Sequence, residues 1–308
     1  MCDRTQRTAY AETLVALGKE NKNIVVLDAD LGKSTMGCLF KEAYPDRYFE
    51  MGIAEQNMMS TAAGLSLTGK IPFVNSFAVF VTGRAYDQLR QTISIAGLNV
   101  KVCGSSAGLS DFGDGSTHQS VEDIAIMRAI PHLTVFAPVD DLETEQIVKY
   151  MVENEGPMYL RVNRNPLPRL TAEDTPFIFG KPAVMHEGGG VVVFAHGVMV
   201  EKALNAAKAM GQSTDIKVVN VSTLKPLDER EIIAAAGSAR GIVVAEEHSV
   251  IGGLCSIVSQ AMRGHGIPME FVAIQDEFGT SAYNYDELLE RYNLTADAIK
   301  AAVDKVSG

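Results

Sequence analysis

The chain has 308 residues, of which 46% are hydrophobic and 21% charged, and this composition supports about two folded domains. The formal net charge is −11 and no dense run of Lys and Arg occurs, which argues against a nucleic-acid-binding protein and against binding to an anionic membrane surface. No apolar run of about 18 residues and no apolar leader core is present, so we expect neither a membrane span nor secretion. The four cysteines are widely spaced, which predicts reduced thiols in the cytoplasm and neither a disulfide framework nor a metal cluster.

Strands and helices alternate through the first half of the sequence. Tyr10, Leu14 and Leu17 share one face of a predicted helix, and IVVLD at 24–28 is continuously apolar, as in a strand covered on both faces. Asp140 followed by Glu143 is typical of a capping box at a helix start. The predicted order is helix 9–18, strand 24–28, helix 54–69, strand 71–81, helix 83–96, strand 100–104, helix 121–129, strand 134–137, helix 141–152 and strand 158–162.

The alternation stops between residues 163 and 182, where four prolines occur, and resumes after them. The second half reads as strand 190–195, helix 201–210, strand 216–221, helix 229–236, strand 241–246, helix 253–263, strand 269–274 and helices 285–292 and 296–306. We therefore predict an α/β fold of two doubly wound domains with mainly parallel sheets. The predicted domains are 1–165 and 183–308, joined by a linker at 166–182.

Two short motifs suggest functions that their context does not support. Gly32-Lys33-Ser34-Thr35 resembles the end of a P-loop, but position 27 is leucine where that motif requires glycine. Gly113-Asp114-Gly115 resembles a thiamine-diphosphate metal motif, but no pair of asparagines follows at the usual distance. No GxGxxG follows a predicted strand either. The sequence thus indicates neither nucleotide hydrolysis nor dinucleotide binding, and we assign no metal ligand.

A set of motifs in the first half carries the candidate chemistry. Glu55, His118 and Arg164 each follow or end a predicted element, where open α/β sheets place ligands. The motifs, in chain order, are MGIAEQN (51–57), SFAVF (76–80), SSAGL (105–109), DGSTHQ (114–119) and RVNRNPLP (161–168).

In the order and spacing of these motifs the chain resembles the C-terminal half of transketolase, from residue 7 to the last helices. The resemblance implies a pyrimidine-binding domain of thiamine-diphosphate enzymes followed by a transketolase C-terminal domain. It implies a partner subunit that carries the diphosphate domain and binds Mg²⁺ or Ca²⁺, in a heterotetramer. The implied reaction moves a two-carbon ketol unit from a ketose phosphate to an aldose phosphate, as in pentose phosphate metabolism.

The resemblance assigns roles at the cofactor. Glu55 matches the glutamate that bonds a ring nitrogen of the aminopyrimidine, and a carboxyl in an apolar pocket can share a proton with that ring. Phe77 and Phe80 match aromatic residues that enclose the pyrimidine, and Asp30 matches an acid near the cofactor. Where the family often has a third aromatic residue, this chain has Gly83. The pocket wall is therefore either incomplete or filled by another side chain.

At the substrate, the resemblance assigns His118 to catalysis and to binding of the substrate's oxygens. Asp114 matches an acid that binds a substrate hydroxyl, although an aspartate before glycine is also common in turns. Arg7, Ser34 and Arg164 match positions that hold the substrate phosphate. A family histidine upstream is replaced by Ser106, which sets the usual sugar-phosphate specificity in question.

Three alternatives stay open. The pyrimidine and C-terminal domains also occur in the beta subunit of 2-oxoacid dehydrogenases and in deoxyxylulose-phosphate synthase, whose oxoacid chemistry does not need Arg7 and Arg164. A non-catalytic regulatory subunit is the third. In the second half, His196 and the run Glu246-Glu247-His248 look like ligands at strand ends, but we assign them no function.

Overall fold

The computed structural model describes residues 4–211 and 215–307. The helices are α1 (Gln6–Glu20), α2 (Gly32–Thr35), α3 (Cys38–Ala43), α4 (Glu55–Ser66), α5 (Tyr86–Gln88), α6 (Asp123–Ala129), α7 (Asp141–Glu153), α8 (Val198–Met210), α9 (Glu229–Ala236), α10 (Leu254–Ala261), α11 (Tyr285–Arg291) and α12 (Ala296–Ser307). The strands are β1 (Ile24–Asp28), β2 (Tyr48–Glu50), β3 (Ile71–Phe77), β4 (Lys101–Ser105), β5 (Thr134–Phe136), β6 (Met158–Arg161), β7 (Ala183–His186), β8 (Val191–Ala195), β9 (Ile216–Asn220), β10 (Thr223–Lys225), β11 (Gly241–Ser249) and β12 (Met269–Ile274).

In the described part of the chain the strands form two sheets. The first has the order β10-β5-β6-β4-β3-β1-β2 and the second β12-β11-β8-β9-β7. Neighbouring strands are parallel except for β10 on β5 and β7 on β9, which are antiparallel. The prediction of an α/β fold with mainly parallel sheets is confirmed. Strand β10 was not predicted; it lies beyond the linker in sequence yet extends the first sheet.

Both sheets are covered on both faces, which explains their continuously apolar strands. In β1 the side chains of Val25 and Leu27 join one apolar cluster and those of Ile24 and Val26 join another on the opposite face. The first of these clusters also contains Phe194 of β8, so one apolar core runs from the first sheet into the second.

Local sequence sets the helix starts as expected. The side chain of Asp140 accepts a hydrogen bond from the backbone N–H of Glu143, which confirms the predicted cap of α7.

The proline-rich segment lies on the first domain, because Phe177 and Phe179 pack edge-on against Phe136 at 6.0 Å between ring centroids. No helix among the described residues is long and apolar enough to cross a membrane.

Two predicted strand ends were wrong. The predicted strand 71–81 ends at Phe77, and the chain continues as a π-helical turn over Phe80–Arg84. In a continued strand, Phe77 and Phe80 would point to opposite faces because side chains alternate. The run Glu246-Glu247-His248 does not end its strand: β11 continues to Ser249.

Candidate active site

The candidate site lies beyond the carboxyl ends of the strands of the first sheet. Strand β1 pairs with β2 on one side and β3 on the other, so the connections turn in opposite directions there. Such a reversal opens a crevice for ligands in α/β sheets. The helix that begins with Glu55 follows β2, and Phe77 ends β3.

Glu55 is the first residue of α4 and is 4% exposed. No side chain caps this helix, so the carboxylate lies near the free N–H groups and the positive end of the helix. The chain enters the helix through Gly52, whose φ of +67° is a conformation that glycine adopts without strain. The result is a buried carboxyl held at the floor of the crevice.

Two stacked rings form the wall beside it. Phe77 and Phe80 lie 5.9 Å apart between ring centroids with an interplanar angle of 14°. The imidazole of His118 meets both rings edge-on, at 6.2 Å from Phe77 and 5.2 Å from Phe80. Thr117 Oγ1 lies 2.9 Å from Nδ1 of His118, which leaves Nε2 as the ring nitrogen available to a ligand.

Arg84, the residue after Gly83, packs against the wall and reaches Glu55. Its guanidinium lies over the ring of Phe80 at 4.1 Å and donates from Nη1 to Glu55 Oε1 at 3.1 Å. Nothing lies within 4 Å of the position that a Cβ would take on Gly83. Since the Arg84 side chain is 50% exposed, this pair is labile and can yield to a ligand.

A cationic pair closes the other end of the site. Arg164 lies 6.0 Å from the centroid of the Phe77 ring and donates from Nη1 to Asp111 Oδ2 at 2.6 Å. Arg7 donates to the backbone carbonyl of Ser34 at 2.7 Å. Burial, and then the neighbouring charge of Arg164, lower the pKa of Arg7. The structure thus brings Arg7, Ser34 and Arg164 close together, with the backbone carbonyl of Ser34 as the group that contacts Arg7.

The C-terminal domain supports this end of the site. Glu247 Oε1 accepts a hydrogen bond from the backbone N–H of Leu109 at 2.7 Å, and Arg161 Nη2 donates to the carbonyl of Glu247 at 2.8 Å. Arg161 in turn pairs with the buried carboxylate of Asp123 at 3.0 Å. Burial raises the pKa of Glu247 to about 7.

The structure does not join Asp30 and Asp114 to this arrangement. Both are exposed. The backbone N–H of Asp30 donates to Glu50 Oε1 at 2.8 Å, and its φ is +62°. Among the described residues, no side chain hydrogen-bonds the carboxylate of Asp114. Their predicted roles toward cofactor and substrate stay predictions.

The polar cluster of the second sheet is sealed. Glu246 accepts hydrogen bonds from the backbone N–H groups of Leu254 and Cys255 at 2.7 and 2.8 Å, at the start of α10. Burial alone would raise the pKa of Glu246, but the neighbouring imidazoles of His196 and His248 and these bonds lower it to about 2. Glu246, His196 and His248 are all 0% exposed, so this cluster offers no surface to a ligand.

The donor set at the first sheet fits the pyrimidine end of thiamine diphosphate. A buried carboxyl with one labile partner can bond a ring nitrogen, and the Phe77–Phe80 wall offers a flat apolar face. Within residues 4–211 and 215–307, no three His, Cys, Asp or Glu side chains converge as metal ligands.

Comparison with known proteins places this fold and site in a family. The family description "Transketolase, pyrimidine binding domain" matches residues 3–169, and "Transketolase, C-terminal domain" matches residues 180–299. The chain therefore belongs to the transketolase family, and membership of that family implies dependence on thiamine diphosphate.

The most informative relatives are single subunits rather than whole enzymes. A 6-deoxy-6-sulfo-D-fructose transketolase subunit of a Clostridium species is 38% identical, over 98% of this chain and 94% of its own. One subunit of an apulose-4-phosphate transketolase of Phocaeicola vulgatus is 32% identical, over 97% of each chain. A solved split-gene transketolase, described as an inactive beta4 tetramer, matches with a TM-score of 0.89 and 43% identity over 99% of this chain and 98% of its own. This chain has the extent of the C-terminal subunit of a split transketolase.

Sequence reasoning missed two residues of the site. Arg84 packs on the Phe80 ring in the π-helical turn, a contact that helical spacing would indicate but that the predicted strand over 71–81 did not. Asp111 gave no such signal, because its partner Arg164 is 53 residues away.

Proposed function

We propose that the chain is the catalytic C-terminal subunit of a two-subunit transketolase, which moves a two-carbon ketol unit from a ketose to an aldose in the cytoplasm. A partner subunit supplies the diphosphate domain and a divalent metal, Mg²⁺ or Ca²⁺, and two chains of each kind form a heterotetramer. The observation that carries this proposal is the buried Glu55 carboxyl beside the Phe77–Phe80 wall, with His118 against both rings.

Each of these residues has a task. Bound thiamine diphosphate supplies the nucleophilic carbon and the electron sink for breaking and forming the carbon–carbon bond. Glu55 holds a proton at the ring nitrogen of the pyrimidine, and the two phenylalanine rings exclude water from it. His118 Nε2 donates to the substrate's carbonyl or hydroxyl oxygen as charge develops there.

Arg7 and Arg164 bind the anionic end of the sugar, with the Ser34 hydroxyl as a further donor. The resemblance in the sequence predicts sugar phosphates, and the arginine pair itself fits any sugar with an anionic tail. One relative's name refers to a sulfonated ketose and another's to a phosphorylated one, so the family supports a sugar with an anionic tail without fixing which tail. The arginine pair favours this reading over decarboxylation of a simple 2-oxoacid, whose carboxylate is attached to the reacting carbonyl carbon rather than to a distant tail.

Affinity purification of the tagged chain from its native host tests the proposal. We expect a second protein in equal amount that bears GDG followed by paired asparagines, and ketol transfer by the pair only when thiamine diphosphate and a divalent metal are present. The chain alone should be inactive, in keeping with the split-gene relative described as an inactive tetramer. Recovery of the chain as a homo-oligomer without such a partner would contradict the proposal.

A further inference from the structure

The anionic-tail end of the site contains its own counter-ion. Arg7 and Arg164 contribute two positive charges, and the Asp111 carboxylate, 2.6 Å from Arg164 Nη1, contributes one negative charge. The three groups together carry a single positive charge. Asp111 is a buried residue, with a side chain that is 2% exposed against 27% for Arg164, so water screens their attraction only weakly.

Asp111 is fixed in this position and is not a mobile surface group. Its backbone carbonyl accepts a hydrogen bond from Gln119 Nε2 at 3.0 Å. On the preceding residue, the carbonyl of Ser110 accepts from Asn165 Nδ2 at 2.8 Å. A ligand that competes with Asp111 for Arg164 must therefore displace a carboxylate whose backbone cannot retreat.

The site nevertheless keeps donors for one anion. Nε of Arg7 is buried and has no hydrogen-bond partner among the described residues. A buried donor without a partner is costly, and a bound oxygen would satisfy it.

We propose that this subsite selects a sugar with a singly charged tail, such as a sulfonate or a carboxylate, over one with a doubly charged phosphate, and that Asp111 is the residue that determines the choice. This inference rests on the proposed function, because it names the class of its substrate. A monoanion balances the single positive charge of the subsite, whereas a phosphate dianion leaves an excess negative charge beside Asp111.

Binding of small tail probes to the full chain tests the proposal without turnover. The probes are methanesulfonate, acetate and methyl phosphate at pH 8, where the last is a dianion because the second phosphate pKa is about 6. The Nε–Hε NMR signal of Arg7 reports binding directly. We expect methanesulfonate or acetate to bind at least as tightly as methyl phosphate. Whichever of the two monoanions binds more tightly identifies the chemical type of the tail.

The variant Asp111→Asn sharpens the test. It should tighten methyl phosphate binding about tenfold relative to methanesulfonate, since the dianion gains relief from one more unit of repulsion, which at a separation of about 4 Å in a well-screened site is on that order. Asp304→Asn, an equal charge change on the exposed side of α12, should leave the ratio unchanged. The proposal is overturned if the wild-type chain binds methyl phosphate more tightly than both monoanions, if it binds none of the probes, or if Asp111→Asn weakens all of them equally. Because no ketol transfer is measured, these results stand apart from a failure of the proposed activity.

Discussion

Acidic and histidine side chains gather at the end of both sheets, but their surroundings differ. At the first sheet, Glu55 is bound by one half-exposed arginine, and the histidine of that site lies against two aromatic rings. At the second sheet, Glu246 is bound by two backbone N–H groups, and both histidines near it are fully buried. The same residue types thus line a candidate ligand site in one domain and are packed inside the other. The two cases differ in the partner of the carboxylate: Arg84 is half exposed and can be replaced by a ligand, whereas the partners of Glu246 are buried backbone groups.

Removing the carboxylate from the sealed cluster should have the largest effect on stability. Glu246→Ala leaves the N–H groups of Leu254 and Cys255 without acceptors, so we expect the free energy of unfolding to fall by about 3–5 kcal/mol. Urea denaturation measures this change. Glu270→Ala removes an exposed ion pair with Lys305 and should cost less than about 1 kcal/mol. Equal losses for the two variants would remove the distinction between the sheets.

The link between the domains should depend on pH. Burial raises the pKa of Glu247 to about 7 from 4.5, so between these values the folded chain keeps a proton that the unfolded chain has lost. The contribution of protonated Glu247 to the free energy of unfolding is therefore present at low pH and is lost as pH rises toward 7. Glu247→Gln should reduce the fall in unfolding free energy between about pH 5 and pH 7 by on the order of 2 kcal/mol. An unchanged slope would show that Glu247 is not protonated in the folded chain.

The ion pair at the first sheet should contribute little to folding. Arg84→Ala removes its bond to Glu55 and its contact with Phe80, and we expect a loss of about 1 kcal/mol or less because the side chain is half exposed. Thermal unfolding measures it. A loss comparable with that of Glu246→Ala would mean that Arg84 belongs to the core and cannot yield to a cofactor.

The smallest effect is expected at Ser34. Arg7 bonds its backbone carbonyl, so Ser34→Ala keeps that contact and should change the unfolding free energy by less than about 0.5 kcal/mol. In the assembled enzyme, loss of the hydroxyl should raise KM for the sugar about two- to tenfold with kcat unchanged. An unchanged KM would remove Ser34 from the tail subsite.

The sequence predicts what depends on short spacing and fails where contacts are distant. The buried strands β1, β4 and β8 and the cap at Asp140 are readable because their patterns are local. The family resemblance implies that Glu55, Phe77 and His118 share a site. The structure brings the Phe77 and His118 rings together, and Arg84 joins Glu55 to the same wall.

Other features could not be read from local patterns. The π-helical turn after Phe77 breaks a pattern that looks like a continuing strand. The Asp111–Arg164 pair and the return of β10 to the first sheet depend on the tertiary fold, which places residues distant in sequence side by side. That Glu246 is sealed rather than exposed also depends on the packing of α10 over it.

The rate of ketol transfer by Glu55→Gln, compared with Glu246→Gln in the complex with the partner protein, tests the account most directly. We predict that Glu55→Gln lowers kcat by about 10²–10⁴-fold with an unchanged unfolding transition. Glu246→Gln should instead lower the unfolding midpoint and keep its activity per folded molecule. Full activity in Glu55→Gln, or a comparable loss of activity in both variants at equal folded fraction, would contradict the assignment of the active site to the first sheet.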